Sequence, residues 1–237
     1  MRRADPLTIE EVQAVFGYLN RLDTPRSCMY AALAAVLVGL GPRISEVNVF
    51  RWSQLLAADG CILDRVTRRK LKTRKANTTI TLKFNPVFVE YLVEWRNRQW
   101  KYGHVGLDGY VFCDGYKNTP INRDAARRFF KRVFRELGFD GSRCLTLHSF
   151  RKTFGTINLA YYRNKYDGDI MKAVRQVQKL YGHSTFETTM RYIGLDGDDP
   201  EESLDHVFGF MDKVKNNGRK ISKCGQLDNC PPLGDTK

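Results

Sequence analysis

The sequence predicts a mainly helical α+β domain with a small antiparallel β-sheet near its front. Three observations carry this. Apolar residues recur at helical spacing along most of the chain, the stretch from Cys61 to Leu82 changes to β-branched residues around a polar turn, and 237 residues suffice for one compact unit with an appendage. The domain is placed at residues 1–195 and the appendage at 196–237.

The first helix is read from "PLTIEEVQAVFGYL", where Thr8 and Glu11 have capping-box spacing and Val12, Val15, Phe16 and Leu19 form one stripe. "SCMYAALAAVLVGLGPRISEVNVF" is apolar nearly all round until Gly39 and Gly41. It reads as a buried helix, a tight break at Pro42, and a second helix beginning with Arg43. "CILDRVTRRKLKTRKANTTITL" predicts a hairpin turning near Ala76 and Asn77, with seven basic residues and no acidic one between Arg65 and Lys75. Amphipathic helices follow in "VFVEYLVEWRNRQW" and "RDAARRFFKRVFREL", the latter with Phe129, Phe130, Val133, Phe134 and Leu137 on one face and basic residues opposite. "HSFRKTFGTINLAYY" and "DIMKAVRQVQKLYG" are further helices, and Gly182 closes the second. After Tyr192 the acidic "LDGDDPEESLD" reads as a linker. Leu204, Val207, Phe208, Met211 and Val214 then mark a short amphipathic helix before a polar tail with the composition of disorder.

Composition narrows the function class. Lys and Arg number 39 against 26 Asp and Glu, a formal charge of +13, which points to a polyanionic partner, nucleic acid before membrane surface. The longest apolar run, "MYAALAAVLVGL", is too short to cross a bilayer and no signal peptide opens the chain, so an intracellular, DNA-associated protein is expected. Cysteines 28, 61, 113, 144, 224 and 230 form no CxxC pair, which predicts reduced thiols and neither a zinc site nor a dense disulfide framework, with a disulfide or metal at Cys224 and Cys230 as the alternative; no cofactor is expected.

Singly, each candidate site residue has a plain structural reading. Arg43 and Glu46 in "RISE" fit a helix-surface pair, as do His148 and Arg151 in "HSFR"; His183 fits a cap and Tyr192 a core aromatic. Together they supply what metal-free phosphoryl transfer from DNA to protein requires. Two guanidinium groups hold the non-bridging oxygens of a phosphodiester and neutralise the charge that develops there. A lysine protonates the leaving oxygen, imidazoles move protons near neutral pH, and a phenol attacks only in such surroundings.

In this order the motifs resemble the catalytic domain of the tyrosine recombinases, the phage-integrase family. "GPRISEV" is similar to the family's first-arginine motif, "LHSFRKTFGT" to its His-x-x-Arg box, and "LYGHSTFETTMRYI" to its Gly-His followed by the nucleophilic tyrosine. The resemblance implies a site-specific DNA recombinase, of integrase or resolvase type, often carried by mobile elements. It makes Tyr192 the nucleophile of a 3′-phosphotyrosyl intermediate, Arg43 and Arg151 the phosphate clamp, His148 a proton-transfer partner, His183 a phosphate ligand and Glu46 a supporting residue. The general-acid lysine falls on the hairpin, best at Lys72, with Lys75 or Lys70 as alternatives. Within Ser184–Glu187, Ser184 is expected to cap the helix carrying Tyr192.

DNA contacts are expected from Arg68, Arg69, Lys70, Arg74, Lys75, Arg127, Arg128 and Lys131, mostly to phosphates of double-stranded DNA. The resemblance further implies a homotetramer on DNA, with the 203–214 helix docking on a neighbour or, alternatively, on its own domain. It also implies an N-terminal DNA-clamping domain, whereas this chain begins almost directly at the catalytic domain, as a fragment or a naturally short version. The interval from Arg151 to His183 is longer than the family's and contains Tyr161, Tyr162 and Tyr166. The alternatives are a type IB topoisomerase-like enzyme and a non-cleaving DNA-binding regulator of the same fold.

Overall fold

A computed structural model describes residues 4–69, 79–102, 106–113, 118–139, 141 and 143–194. Among these residues it is mainly helical, eight α-helices with one two-stranded antiparallel sheet.

Helix α1 (Ile9–Leu22) starts on a full capping box. Thr8 accepts from the Glu11 amide at 3.0 Å, and the Glu11 carboxylate accepts from the Thr8 amide at 2.8 Å. It buries the expected stripe of Val12, Val15, Phe16 and Leu19. Helix α2 (Pro25–Leu40) is buried at every position from Ser27 to Val38 and forms the centre of the core, with α1, α4 and α6 packed around it. Its uniformly apolar sequence is the signature of a helix with no solvent face. The helix ends at Gly41, whose φ of 57° lies in the left-handed region and where a Cβ would stand 2.2 Å from the Phe154 ring. Arg43 is the N-cap of α3 (Ile44–Val47), not its first residue as the sequence suggested, because its own backbone is still extended.

After a 3₁₀ turn at Trp52–Gln54, strands β1 (Arg65–Arg69) and β2 (Thr79–Lys83) pair in the register Arg65 to Lys83 and Arg69 to Thr79. The predicted turn at Ala76 and Asn77, with Lys70, Lys72, Arg74 and Lys75, lies outside the described residues. Helix α4 (Pro86–Tyr102) packs on α2, and its Trp95 indole donates to the Val111 carbonyl at 2.6 Å. Helix α5 (Arg123–Glu136), capped by Asn122, buries Ala126, Phe129, Phe130, Val133 and Phe134, with Leu137 half-buried at its end.

Helix α6 (Leu147–Lys165) packs against α2, α5 and α7 (Ile170–Tyr181), and α7 ends at Gly182 with φ 65°. Helix α8 (Phe186–Ile193) carries Tyr192. Its cap corrects the sequence reading: Thr185, not Ser184, accepts from the Thr188 amide at 3.3 Å. The helix starts one residue later than expected, so Thr188 rather than Glu187 stands at the third helical position. The acidic linker, the Leu204–Val214 helix and the tail lie outside the described residues.

Cys28 and Cys113 are buried, Cys144 is half-buried and Cys61 exposed. Among the described residues no cluster of His, Cys, Asp or Glu is suited to a metal ion, and no helix is long and apolar enough to cross a membrane.

Candidate active site

The break after α2 builds the first wall. The Arg43 amide donates to Glu46 Oε2 at 2.9 Å and its Nη1 reaches Glu46 Oε1 at 3.0 Å. Glu46 is buried to 1% exposure while the Arg43 side chain remains 28% exposed, so a buried carboxylate fixes an arginine that still faces solvent.

The start of α6 builds the second wall. Thr146 caps the helix by accepting from the His148 amide at 3.1 Å, which places exposed His148 in the first turn. Arg151, three residues on, shares its face but is only 1% exposed. The positive end of a long helix dipole therefore backs both residues.

Arg151 Nη1 donates to the Gly41 carbonyl, and its Nη2 lies 3.5 Å from His183 Nε2. The guanidinium carbon is 4.5 Å from the Tyr181 ring centroid and 5.5 Å from that of Tyr192. Its Nε is buried without a hydrogen-bond partner, and no carboxylate among the described residues pairs with it.

The α7–α8 junction closes the site. His183 Nδ1 lies 3.1 Å from Thr189 Oγ1. A guanidinium can only donate, so the geometry assigns Nε2 as acceptor toward Arg151 and places the imidazole proton on Nδ1, donated to Thr189. Tyr192 meets His148, Tyr181 and His183 edge to face, at centroid distances of 5.7, 5.0 and 5.5 Å, and Lys152 Nζ stands 6.0 Å from its ring. Its phenol oxygen is enclosed and meets no donor or acceptor at hydrogen-bonding geometry among the described residues. Burial pushes the Tyr192 phenol pKa above its ordinary value. The Arg151 guanidinium acts against that, first by its charge and then by the approach of its N–H groups to the phenol, too poorly aligned to be a formed hydrogen bond; the Arg43 charge adds to the lowering and the Glu46 carboxylate opposes it.

Arg43, Glu46, His148, Arg151, His183 and Tyr192, spread over residues 43–192, are thus brought to one place, whereas Lys72 is outside the described residues. Arg68 and Arg69 lie on β1, and their side chains are not described. Arg127 is exposed and pairs with Asp124 at 3.2 Å. Arg128 and Lys131, with Arg26, Arg98, Arg132 and Arg135, rim a cavity of about 1280 Å³ between α2, α4 and α5, so the basic face of α5 continues onto two other helices. At the far end of α6 Tyr161 meets Tyr162 edge to face and Tyr162 stacks on Tyr166. Tyr162 is roughly 16 Å beyond Arg151 along the helix axis at 1.5 Å per residue.

Sequence reasoning missed Tyr181, Thr189 and Lys152. Tyr181 continues the apolar stripe of α7 and reads as core, and Thr189 reads as helix surface; only the position of Lys152, directly after Arg151, offered a signal.

The sequence matches the Phage integrase family over residues 6–197. It is 24% identical over 204 residues to tyrosine recombinase XerC of Pediococcus pentosaceus, covering 84% of this chain and 60% of that one. To tyrosine recombinase XerC of Mesorhizobium japonicum it is 28% identical over 193 residues, covering 81% and 55%. The chain therefore spans between half and two thirds of the length of these relatives. Its fold is similar to that of XerH site-specific recombinase bound to palindromic difH substrate in a post-cleavage complex, with TM-score 0.63 at 18% identity over 86% of this chain and 53% of that one. A lambda integrase dimer bound to a COC′ core site matches with TM-score 0.57 at 14% identity, over 84% and 50%.

Proposed function

The chain belongs to the Phage integrase family of tyrosine-type recombinases, and from that premise we propose that it is a site-specific DNA recombinase that cleaves and rejoins DNA through a 3′-phosphotyrosyl intermediate. The observation that carries this beyond family membership is a pair of orphaned polar atoms. Arg151 Nε and Tyr192 Oη are both enclosed in one site without a well-aligned hydrogen bond, although buried polar groups are nearly always satisfied. A phosphodiester supplies what both lack: oxygens for the guanidinium to grip and a phosphorus for the phenol to attack.

The chemistry follows from the residues gathered there. Arg43 and Arg151 hold the two non-bridging oxygens and stabilise the charge on the five-coordinate phosphorus. Tyr192 Oη bonds to phosphorus as the bond to the 5′ oxygen breaks. The phenol proton leaves toward His148, and the 5′ oxygen takes a proton from the hairpin lysine, assigned to Lys72. His183 holds a phosphate oxygen through Nε2 once that nitrogen carries a proton. The phosphodiester bond energy is retained in the tyrosyl ester, so attack by a new 5′-hydroxyl reverses the step and rejoins DNA. The partner is double-stranded DNA, engaged as a homotetramer in which the 203–214 segment docks on a neighbouring protomer.

A nicked duplex carrying paired inverted half-sites, sought in the DNA that flanks the gene, tests the proposal. Incubation should trap a denaturant-stable protein–DNA adduct whose DNA is attached at Tyr192. Tyr192→Phe should abolish the adduct while binding persists. A site that is bound tightly yet never trapped by the unaltered protein overturns the proposal in favour of a non-cleaving regulator.

A further inference from the structure

Tyr181 touches Arg151, His183 and Tyr192 alike. The Arg151 guanidinium lies 4.5 Å from its ring centroid, the His183 imidazole stacks on it at 4.9 Å and 21°, and Tyr192 meets it edge to face at 5.0 Å. Its hydroxyl donates to the Arg151 carbonyl at 2.7 Å, so the residue is pinned to the helix that carries the arginine it supports. It is 1% exposed.

A buried aromatic at the end of an apolar stripe is ordinarily core filler, but Gly155 argues against that here. Gly155 lies inside α6, one turn beyond Arg151, where glycine is unfavourable relative to alanine. A Cβ on Gly155 would stand 2.0 Å from the Tyr181 hydroxyl oxygen and 2.7 Å from Cζ. The helix therefore carries an unfavourable residue at the one place where the Tyr181 hydroxyl enters. An apolar filler needs neither the hydroxyl nor the gap.

We propose that Tyr181, seated in the gap left by Gly155, is a positioning residue that sets the guanidinium of Arg151 and the ring of His183 in the geometry that receives the scissile phosphate. The proposal rests on the phosphate-binding role assigned above to those two residues. The ring face attracts the guanidinium while leaving its edge donors free, which a carboxylate partner in the same place would occupy. Stacking holds the imidazole plane so that Nε2 stays beside Arg151. Tyr181 takes no part in bond making.

Four variants of the full chain test this: Tyr181→Phe, Tyr181→Leu, Gly155→Ala, and the double variant Tyr181→Leu with Gly155→Ala. Each is measured for thermal stability, affinity for the nicked half-site duplex, single-turnover adduct formation, and the proton NMR signal of the His183 ring. Tyr181→Phe keeps the platform but loses its anchor and is expected to cleave three- to tenfold more slowly. Gly155→Ala displaces Tyr181 and should lower both stability and cleavage. The double variant removes the steric conflict, so it should regain thermal stability relative to Gly155→Ala while cleaving at least tenfold more slowly than the unaltered protein, with DNA affinity within twofold. The His183 ring-proton signal should lose its ring-current displacement in Tyr181→Leu and keep it in Tyr181→Phe.

If the double variant cleaves at the unaltered rate, or if the His183 signal is the same in Tyr181→Leu, Tyr181 is core filler and the proposal fails. Because the NMR measurement needs no cleavage, it separates that failure from failure of the recombinase assignment, which shows instead as absence of any adduct with the unaltered protein.

Discussion

Thr189 Oγ1 lies 3.1 Å from His183 Nδ1, and Thr189 is completely buried. A threonine hydroxyl hidden inside α8 thus fixes the ring of a histidine on the turn before it. Thr189→Val retains the shape and removes the acceptor, so the imidazole loses the bond that selects its tautomer. Adduct formation should slow about tenfold, the rate equivalent of one hydrogen bond near 1.4 kcal/mol, with DNA affinity little changed. Single-turnover kinetics beside a binding titration checks this.

Glu46 accepts from both the backbone and the side chain of Arg43. Glu46→Ala leaves the start of α3 uncapped and the arginine head free to swing. A stability loss of about 1–3 kcal/mol, measured by urea denaturation, is expected from the unsatisfied buried donor. Cleavage should fall further than stability accounts for, because the clamp is no longer preset. A variant with normal cleavage would show that Arg43 needs no such support.

Gly41 combines positive φ with a Cβ position 2.2 Å from the Phe154 ring, on the residue whose carbonyl receives Arg151. Gly41→Ala should therefore destabilise by about 2–4 kcal/mol, the sum of left-handed strain and overpacking. It should also weaken cleavage by moving the acceptor of Arg151. The midpoint of thermal unfolding reports the first effect and adduct formation the second.

Burial pushes the Cys28 thiol pKa from 9.0 up to about 12; nearby Glu94 adds to this, and Arg98 opposes it. Because the folded pKa is raised, the contribution to stability is complete below the ordinary thiol range. It is lost as pH climbs from there toward about 12, where the unfolded chain ionises and the folded one does not. Within that window stability should fall by up to about 1.4 kcal/mol per pH unit from this group. Cys28→Ala should flatten that limb of the stability curve. At neutral pH an alkylating reagent should modify exposed Cys61 and spare Cys28 until the protein unfolds.

Much of this was legible in the residue order, for physical reasons. Capping boxes, apolar stripes and left-handed glycines act within a few residues, so Thr8 with Glu11, Gly41 and Gly182 could be read directly. The gathering of Arg43, His148, Arg151, His183 and Tyr192 was legible only through resemblance, since nothing local ties residue 43 to residue 192. The cap of α8 was misplaced by one residue because "ST" offers two hydroxyls and only the backbone selects between them. Tyr181 and Gly155 were illegible for a related reason: each has an ordinary explanation alone, and their complementarity exists only once α6 and α7 are packed.

Arg151 is a cation in the protein interior with a carbonyl, an imidazole and two ring faces about it, and no carboxylate among the described residues forms a salt bridge with it. Such a charge is a standing weakness in a fold, since removing it from water is incompletely compensated. Replacing it by methionine should yield an inert protein that melts at a higher temperature, and tetrahedral oxyanions such as vanadate should raise the melting point of the natural protein and leave that of the variant unmoved. Under the proposed function, part of the pull on a phosphate is relief of that incompletely compensated charge.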